Sequence, residues 1–524
     1  MLENNCVVWR KLLFEFFDSG LGGALSVCLV EGGGLEFEAD SQALYAGENV
    51  GAPIILQGGR LRFFGGSTNH WGGRCAPLDR IDFRRRNWVP HSGWPIDRTE
   101  LDPYYERARN IAGFPAPWLS DAQTLSTLNV ELSPINADWL RPFLWRWAPI
   151  TKEFGVWNWG RVYREQLQES RNIRVLLHAN FKAFTAEEDR SRIRNLTVSS
   201  LNGVTATILA KQYVLCCGGI ENARLLLLGA EQNSGGFGNQ HDLVGRYFIQ
   251  NAHGESGLLI GAGRLSRLQQ QFNTLVGPDG LVVEVGLAMT PRVQEEQGLL
   301  NCSAMFQYEG DPSSGITAAQ DIWRSLLTGH WAPDMGEKVG RIAGDIGSFA
   351  RTLKHRLASG RSLSLEGPEE MPSRSAIIVL NVEQAPDPLS RITLSEDRDA
   401  LGLRRVKADW HLGEMERRTA ATFTKLIAAE FARLGIGRCQ LQPWLQDTSL
   451  PVADFMPDYM HYLGTTRMAS DPGEGVVDEN CMVHGMRNLY VAGSSVFSTA
   501  GHAHPTFTIV ALALRLADRL KAES

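Results

Sequence analysis

The 524-residue sequence has no apolar run as long as the ~20 residues that a membrane-spanning helix needs. It also has no excess of basic residues, because 52 Lys and Arg stand against 58 Asp and Glu, giving a formal net charge of -6 at pH 7. The short basic run at residues 84–86 is typical of a solvated surface. We therefore expect neither an integral membrane segment nor a nucleic-acid partner.

Closely spaced cysteine pairs of the metal-binding or redox kind are also missing. The 8 cysteines are scattered along the chain, and even the neighbours Cys216 and Cys217 do not have zinc-site or redox-motif spacing. Residues 1–17 contain apolar patches, but charged residues interrupt them in a way that a signal peptide does not show. The sequence therefore predicts reduced thiols, no metal site and a cytoplasmic location.

What the sequence does contain is a set of short apolar segments that each end in small residues. Residues 25–30 precede Glu31-Gly32, residues 212–217 precede Gly218-Gly219 with a helical pattern at 221–228, and residues 488–492 precede Gly493-Ser494. Ligands bind at the carboxyl ends of parallel strands, so these segments predict a nucleotide-binding α/β layer. Because the segments lie far apart, that layer must be discontinuous in sequence.

The middle of the chain has a different pattern. Residues 375–383 and 390–394 are typical of β-strands, residues 414–434 predict an amphipathic helix followed by Gly435, and residues 310–370 are poorly patterned. A chain of this length exceeds one ordinary core, so we expect two domains. The second would be a sheet-plus-helix layer inserted into the first.

The chemistry-bearing residues concentrate near the C-terminus. His461 opens the run HYLGTTRM, and His504 belongs to the run GHAHPT, after which residues 505–521 predict a long helix. Pro505 suits the first helical turn, and the partial positive charge of a helix start stabilises an electron-rich ring. Glu31, at the end of a strand, is either a ligand of adenosine ribose hydroxyls or a solvated carboxylate.

Together these motifs resemble the closing signature of the glucose–methanol–choline (GMC) oxidoreductase family. Residues 65–73 (GGSTNHWGG) are similar to that family's loop against the flavin, and residues 218–225 to its second glycine-rich turn. Residues 79–105 resemble bacterial sugar and polyol dehydrogenases of the family. The resemblance implies a mixed α/β fold. An FAD-binding Rossmann-like domain would cover 1–90, 160–250 and 455–524, and a substrate-binding domain 91–159 and 251–454.

The resemblance also implies the roles of individual residues. His461 would be the base that takes the hydroxyl proton and His504 its partner on the same oxygen, although the two roles are interchangeable, and His502 is a weaker candidate. His70 would contact the flavin, covalently or not. The implied FAD-binding residues are Glu31, Gly32, Gly65, Gly66, Ser67, Asn69, His70, Trp71, Gly72, Phe181, Gly218, Gly219, Gly493, Ser494, His504, Pro505 and Thr506.

One expected motif departs from the pattern. The family opens with a strand and G-x-G-x-x-G, whereas residues 6–9 here are followed by Lys11, Leu12 and Phe14, and Gly20, Gly22 and Gly23 come only just before the strand at 25–30. Bulky side chains there would hinder close approach to a pyrophosphate.

Three functions therefore stay open. The first is an FAD-dependent oxidoreductase that acts on an alcohol, sugar or polyol and passes electrons to an unknown acceptor. The second is a flavin-poor, catalytically impaired relative, and the third is a different flavoenzyme activity, such as a lyase or cyclising oxidase. A group of tryptophans either stacks on a sugar ring or packs in the core: Trp139, Trp145, Trp147, Trp157 and Trp159.

Overall fold

A computed structural model describes residues 26–114, 118–151, 155–232, 237–277, 280–308 and 373–523. The strands in chain order are β1 Val27–Val30, β2 Gly47–Asn49, β3 Arg74–Cys75, β4 Leu140–Trp147, β5 Ile150–Thr151, β6 Gly155–Val156, β7 Ile173–Leu176, β8 Asn180–Ala186, β9 Ile193–Ser199, β10 Thr205–Ile208, β11 Tyr213–Leu215, β12 Asn251–Gly261, β13 Thr274–Val276, β14 Val282–Met289, β15 Cys302–Tyr308, β16 Ser375–Glu383, β17 Arg391–Arg398, β18 Arg404–Asp409, β19 Gly437–Leu441 and β20 Leu489–Val491.

The helices are α1 Ala39–Ala43, α2 Arg80–Phe83, α3 Arg98–Ile111, α4 Asp121–Thr127, α5 Trp159–Val162, α6 Arg164–Glu169, α7 Gly218–Gln232, α8 Ser266–Gln271, α9 Pro291–Gln297, α10 Glu414–Arg433 and α11 Thr506–Ala522. Short 3-10 turns lie at Gly66–Asn69, Pro443–Leu445, Val452–Asp454 and Ser494–Val496. The N-terminal segment with Gly20, Gly22 and Gly23, and the poorly patterned residues 310–370, lie outside the described residues.

Parallel strand pairs form the predicted nucleotide-binding layer. Strand β1 pairs with β7, with Val27 opposite Ile173, and β11 pairs with β20, with Tyr213 opposite Leu489. Strand β11 is shorter than the predicted 212–217 because the chain leaves the ladder after Leu215, and the Cys217 N–H donates to the side chain of Asn222 instead. The carboxyl ends of both pairs therefore open into loops of small residues.

An extensive antiparallel sheet forms the second layer. Its order is β19-β12-β16-β15-β14-β4-β3, and β13 pairs with β14. Helix α10 packs on this sheet through a buried apolar face that includes Phe423, Ile427 and Phe431, as its helical spacing predicts. Gly435 follows the helix with a φ of +67°, the left-handed conformation that commonly ends helices.

Two apolar cores accompany these layers, one around the parallel strands with α7 and α11, the other between the antiparallel sheet and α10. Helix α3 falls within the range 91–159 assigned to the substrate domain, yet Tyr105 on α3 packs against Phe507 on α11 in the first core. The domain boundaries stay a prediction. Within the described ranges, no helix combines the length and apolar character that crossing a membrane requires.

Candidate active site

A cavity of about 460 Å³, the central cavity, lies beyond the carboxyl ends of β11 and β20. Most of the residues predicted for the site contribute to its wall: Ser67, His70, Trp71, Gly72, Gly218, Gly219, His461, Ser494, His504, Pro505 and Thr506. Segments that lie far apart between residues 67 and 506 thus meet at this cavity. Tyr459 and Met460 also line the cavity and are among the exposed residues, so they form part of its rim.

Backbone forms one side of the central cavity, because glycines occupy the turns that border it. Gly218 has a φ of +85°, and a Cβ on Gly219 would lie 2.0 Å from the carbonyl oxygen of Tyr462, so a larger residue does not fit at Gly219. A Cβ on Gly72 would meet nothing within 4 Å. Helices α7 and α11 both begin at this wall, and their first turns carry partial positive charge.

Side chains also contribute to the wall, among them the imidazoles of His461 and His504. Their ring centroids lie 4.8 Å apart at an interplanar angle of 54°. His461 Nδ1 and His504 Nε2 are buried and have no hydrogen-bond partner in the described part of the chain. Because a buried polar atom without a partner is costly, these imidazoles are poised to bond a ligand.

Both imidazoles are neutral at neutral pH. Burial lowers the pKa of His461 to about 4. Burial also holds the pKa of His504 well below its usual range, and the nearby His461 and His253 lower it further. A neutral imidazole offers one acceptor nitrogen and one N–H donor, so the pair can accept a proton and donate a hydrogen bond at the same time.

A third imidazole lies next to this pair. His253, on β12, is stacked on Tyr459 with centroids 3.7 Å apart, and its ring centroid lies 5.7 Å from that of His504. Tyr459 in turn makes an edge contact with His461. The antiparallel sheet therefore supports the histidine pair through ring contacts that the sequence alone does not indicate, since residues 253 and 459 lie far apart.

His502 has a structural environment distinct from that of His504. It is fully buried, and its ring nitrogens bond Ser303 Oγ at 2.8 Å and Asp79 Oδ2 at 3.0 Å. It is absent from the described lining of the central cavity. His502 therefore anchors the chain just before His504 to the antiparallel sheet.

Asn251 holds the same loop from the other side. Its side-chain amide donates to the carbonyl oxygens of Ala500 at 3.2 Å and Gly501 at 2.5 Å. Gly501 has a φ of +57° and packs closely on Asp82. The loop that carries His504 is thus fixed by buried hydrogen bonds before α11 begins.

Glu31 ends β1 in a separate buried position. Its Oε1 accepts the N–H of Gly33 at 3.0 Å, and its Oε2 has no hydrogen-bond partner among the described residues. Burial raises the pKa of Glu31 to about 7, although the Gly33 N–H and Arg62 oppose this. A second cavity of about 280 Å³ lies beside it, lined by Gly32, Ser41, His178 and Asn180 among others.

The remaining predicted residues shape the loops rather than the described walls. Gly65 (φ +111°) and Gly66 begin the turn, and the Asn69 amide donates to the Gly66 carbonyl at 2.9 Å. Gly493 has a φ of +116° where β20 turns toward Ser494. Phe181 is buried against Phe184, whereas its neighbour Asn180 reaches the second cavity.

Several residues of the central cavity were not predicted as site residues. They include Arg60, Arg74, Tyr459 and Tyr462, and only the two tyrosines carried a usable signal, because they flank His461. Of the tryptophans proposed for stacking, Trp147 lines this cavity, whereas Trp145 and Trp159 are fully buried in the core.

Comparisons with a family model and with known proteins are consistent with this site. Residues 386–513 match the family model described as GMC oxidoreductase. The chain therefore contains a GMC oxidoreductase C-terminal domain. It is 25% identical to the fructose dehydrogenase large subunit of Gluconobacter japonicus, over 88% of this chain and 81% of that protein. It is 23% identical to 2-methyl-1,2-propanediol dehydrogenase of Mycolicibacterium austroafricanum, over 87% and 80% respectively.

Solved structures show the same fold. A variant of formate oxidase from Aspergillus oryzae aligns over 100% of this chain and 97% of its own, with a TM-score of 0.55 and 14% identity. Pyridoxine 4-oxidase from Mesorbium loti aligns over 99% and 98%, with a TM-score of 0.52 and 16% identity. The chain therefore has the mixed α/β fold of these structures, which combine an FAD-binding and a substrate-binding part.

FAD is the cofactor of this family, and the residues present fit it. The unpartnered, buried carboxylate oxygen of Glu31 suits a ribose hydroxyl, and the second cavity lies at the same strand end. The central cavity, bordered by Gly72, Gly219 and the start of α11, offers about 460 Å³ for a ring system. The described residues are accordingly compatible with an FAD-dependent oxidoreductase.

Proposed function

We propose that this enzyme oxidises a CH–OH group of a sugar or polyol, with His461 as the base that takes the hydroxyl proton. The observation that carries the proposal is the pair of neutral imidazoles at 4.8 Å in the wall of the central cavity. A hydroxyl oxygen between them would give its proton to one ring and accept an N–H bond from the other. We assign the first role to His461 and the second to His504.

The chain's residues supply proton transfer and orientation. Burial holds the pKa of His461 at about 4, so the ring is neutral at neutral pH and has a nitrogen lone pair for the hydroxyl proton, while His504 stabilises the charge that develops on the oxygen. The residues that would hold FAD are Glu31 at the adenosine end and the walls at residues 67–72, 218–219 and 505–506. FAD, when bound, supplies the two-electron oxidant for the carbon.

The names of the relatives guide the choice of substrate class. A fructose dehydrogenase subunit and a propanediol dehydrogenase both act on compounds with several hydroxyl groups, according to their names. We propose the same class for this chain. A cytoplasmic location stays a prediction.

The test is the reduction rate of bound flavin by a polyol in the absence of oxygen. We expect His461→Ala to lower that rate by about 10²- to 10⁴-fold, as loss of a general base does, without loss of flavin. His411→Ala, which removes an exposed imidazole paired with Asp409, is the matched control and should reduce flavin at the wild-type rate. An unchanged rate in His461→Ala would contradict the assignment of the base.

The flavin-poor alternative has its own measurement. We expect the purified protein to be yellow, and the absorbance spectrum before and after acid precipitation to show whether the flavin is covalently bound. A folded preparation that stays colourless after saturation with FAD would favour the impaired relative and overturn the proposal.

A further inference from the structure

Beside the histidine pair, the edge of the antiparallel sheet presents a second polar group to the central cavity. Arg74 on β3 lies directly opposite Trp147 on β4, and its guanidinium carbon lies 4.7 Å from the centroid of the Trp147 ring. Both residues line the cavity that contains His461 and His504. The register of the sheet therefore sets a cation and an aromatic face next to the site of proton transfer.

Glu284 on β14 fixes the guanidinium. Its Oε2 lies 3.0 Å from Arg74 Nη2, and the two side chains are only 15% and 19% exposed. Burial raises the pKa of Glu284, an effect that Arg74 opposes. Arg74 Nη1 contacts the thioether of Met305, and Arg74 Nε, like Trp147 Nε1, is buried without a hydrogen-bond partner among the described residues. The guanidinium of Arg74 and the indole of Trp147 thus each keep an N–H group that bonds no other described residue.

The charge balance of the cavity indicates what these donors recognise. Arg74 is paired with Glu284, and Arg60, the other arginine in the described wall, is paired with Glu221 at 3.3 Å. The imidazoles of His461 and His504 are neutral at neutral pH. A cavity with paired cations and neutral bases favours a neutral ligand that offers oxygen lone pairs over a carboxylate or phosphate.

We infer that Arg74, positioned by Glu284 and packed on Trp147, is a specificity-determining residue that binds a second hydroxyl oxygen of the substrate, next to the hydroxyl that meets the histidine pair. The inference rests on the proposed function and narrows it to neutral vicinal diols, which include sugars and polyols. The guanidinium donates to the second oxygen, while the Trp147 ring packs on the adjacent C–H groups. A monohydric alcohol makes no such bond.

Turnover tests the inference through a difference between two matched substrates, 1,2-propanediol and 1-propanol. The wild-type holoenzyme should prefer the diol in kcat/KM. Because a hydrogen bond to a charged group is involved, Arg74→Met should lower kcat/KM for the diol by about 10- to 150-fold and for 1-propanol by less than about 2-fold. Arg292→Met, which removes an exposed arginine of the same layer, should change neither.

Equilibrium binding provides a readout without turnover. Pinacol is a vicinal diol whose carbinol carbons bear no hydrogen, and tert-butanol is its monohydric counterpart, so neither can be oxidised. Calorimetric titration of the holoenzyme should give a lower Kd for pinacol than for tert-butanol. Arg74→Met should abolish that difference in Kd. Glu284→Gln should reduce the difference, and it should raise KM for 1,2-propanediol by a larger factor than it lowers kcat.

The outcomes separate this inference from the proposed function. Equal Kd values in the wild type, or an Arg74→Met enzyme that keeps its preference for diols, would overturn the inference while leaving alcohol oxidation intact. Tighter binding of pinacol by a holoenzyme that oxidises no alcohol would support the subsite and overturn the function. If Arg74→Met does not fold, Arg74→Lys, which keeps the charge but loses the planar donor fork, should still lose most of the preference.

Discussion

The pH dependence of flavin reduction offers a quantitative test of the histidine pair. Burial lowers the pKa of His461 to about 4, so at pH 5 about 90% of this imidazole is in the neutral form that accepts a proton. An imidazole at its ordinary pKa of about 6.5 would be only about 3% neutral at that pH. We therefore expect kcat/KM to be nearly constant from pH 8 to pH 5 and to fall below pH 5.

The cofactor does not reverse this expectation, because a ring that fills the central cavity displaces water and leaves the imidazole at least as desolvated. The assay is the anaerobic rate of flavin reduction at low substrate concentration, measured across pH 4.5 to 8 with circular dichroism as a control for unfolding. Relative to the plateau, a pKa of about 4 predicts a rate at pH 5 that is about 30-fold higher than the rate predicted by a pKa of about 6.5. A midpoint near pH 6.5 would refute the argument that buried His461 is the base.

Three further substitutions test the buried contacts around the site. Glu31→Ala should raise the Kd for FAD by about 5- to 150-fold in a fluorescence titration, because a buried ribose hydroxyl left without its acceptor costs about 1–3 kcal/mol; an unchanged Kd would place the ribose elsewhere. Asn251→Ala releases the loop before His504 and should lower the flavin reduction rate by about 10²-fold at unchanged flavin content. Equal losses of reduction rate and flavin content would instead indicate misfolding. Arg86→Met leaves the buried carboxylate of Glu383 unpaired and should cost about 3–5 kcal/mol in chemical denaturation, a loss that Arg86→Met/Glu383→Gln should largely recover.

Much of the fold was predictable because local patterns and tertiary contacts agree. The predicted strand at 375–383 coincides with β16, since its apolar residues are buried in the middle of a sheet. The predicted helix at 414–434 ends one residue later than α10, because Leu434 and Gly435 form its C-terminal cap. The helix predicted from Pro505 begins at Thr506, with Pro505 in the preceding position where its missing N–H costs nothing.

The parts of the site that could not be predicted depend on pairing between distant strands. Arg74 belongs to a strand of two residues, too short for a periodic signal, and only the register with β4 brings it over Trp147. His253 is likewise a single imidazole in an apolar strand until the fold stacks it on Tyr459. Motifs therefore identified residues on loops, whereas the side chains from the antiparallel sheet required the three-dimensional arrangement.

The central cavity therefore combines residues from two different parts of the fold. The glycine wall at Gly218 and Gly219 follows the parallel strand β11, and a Cβ at Gly219 would already collide with the chain. Arg74, Trp147 and Glu284 are partly buried side chains on three neighbouring strands of the antiparallel sheet, and their replacement leaves that wall in place. Substitutions of these three residues should consequently change which alcohol binds while the glycine wall keeps its geometry, even though the sheet also supports the histidine pair through His253.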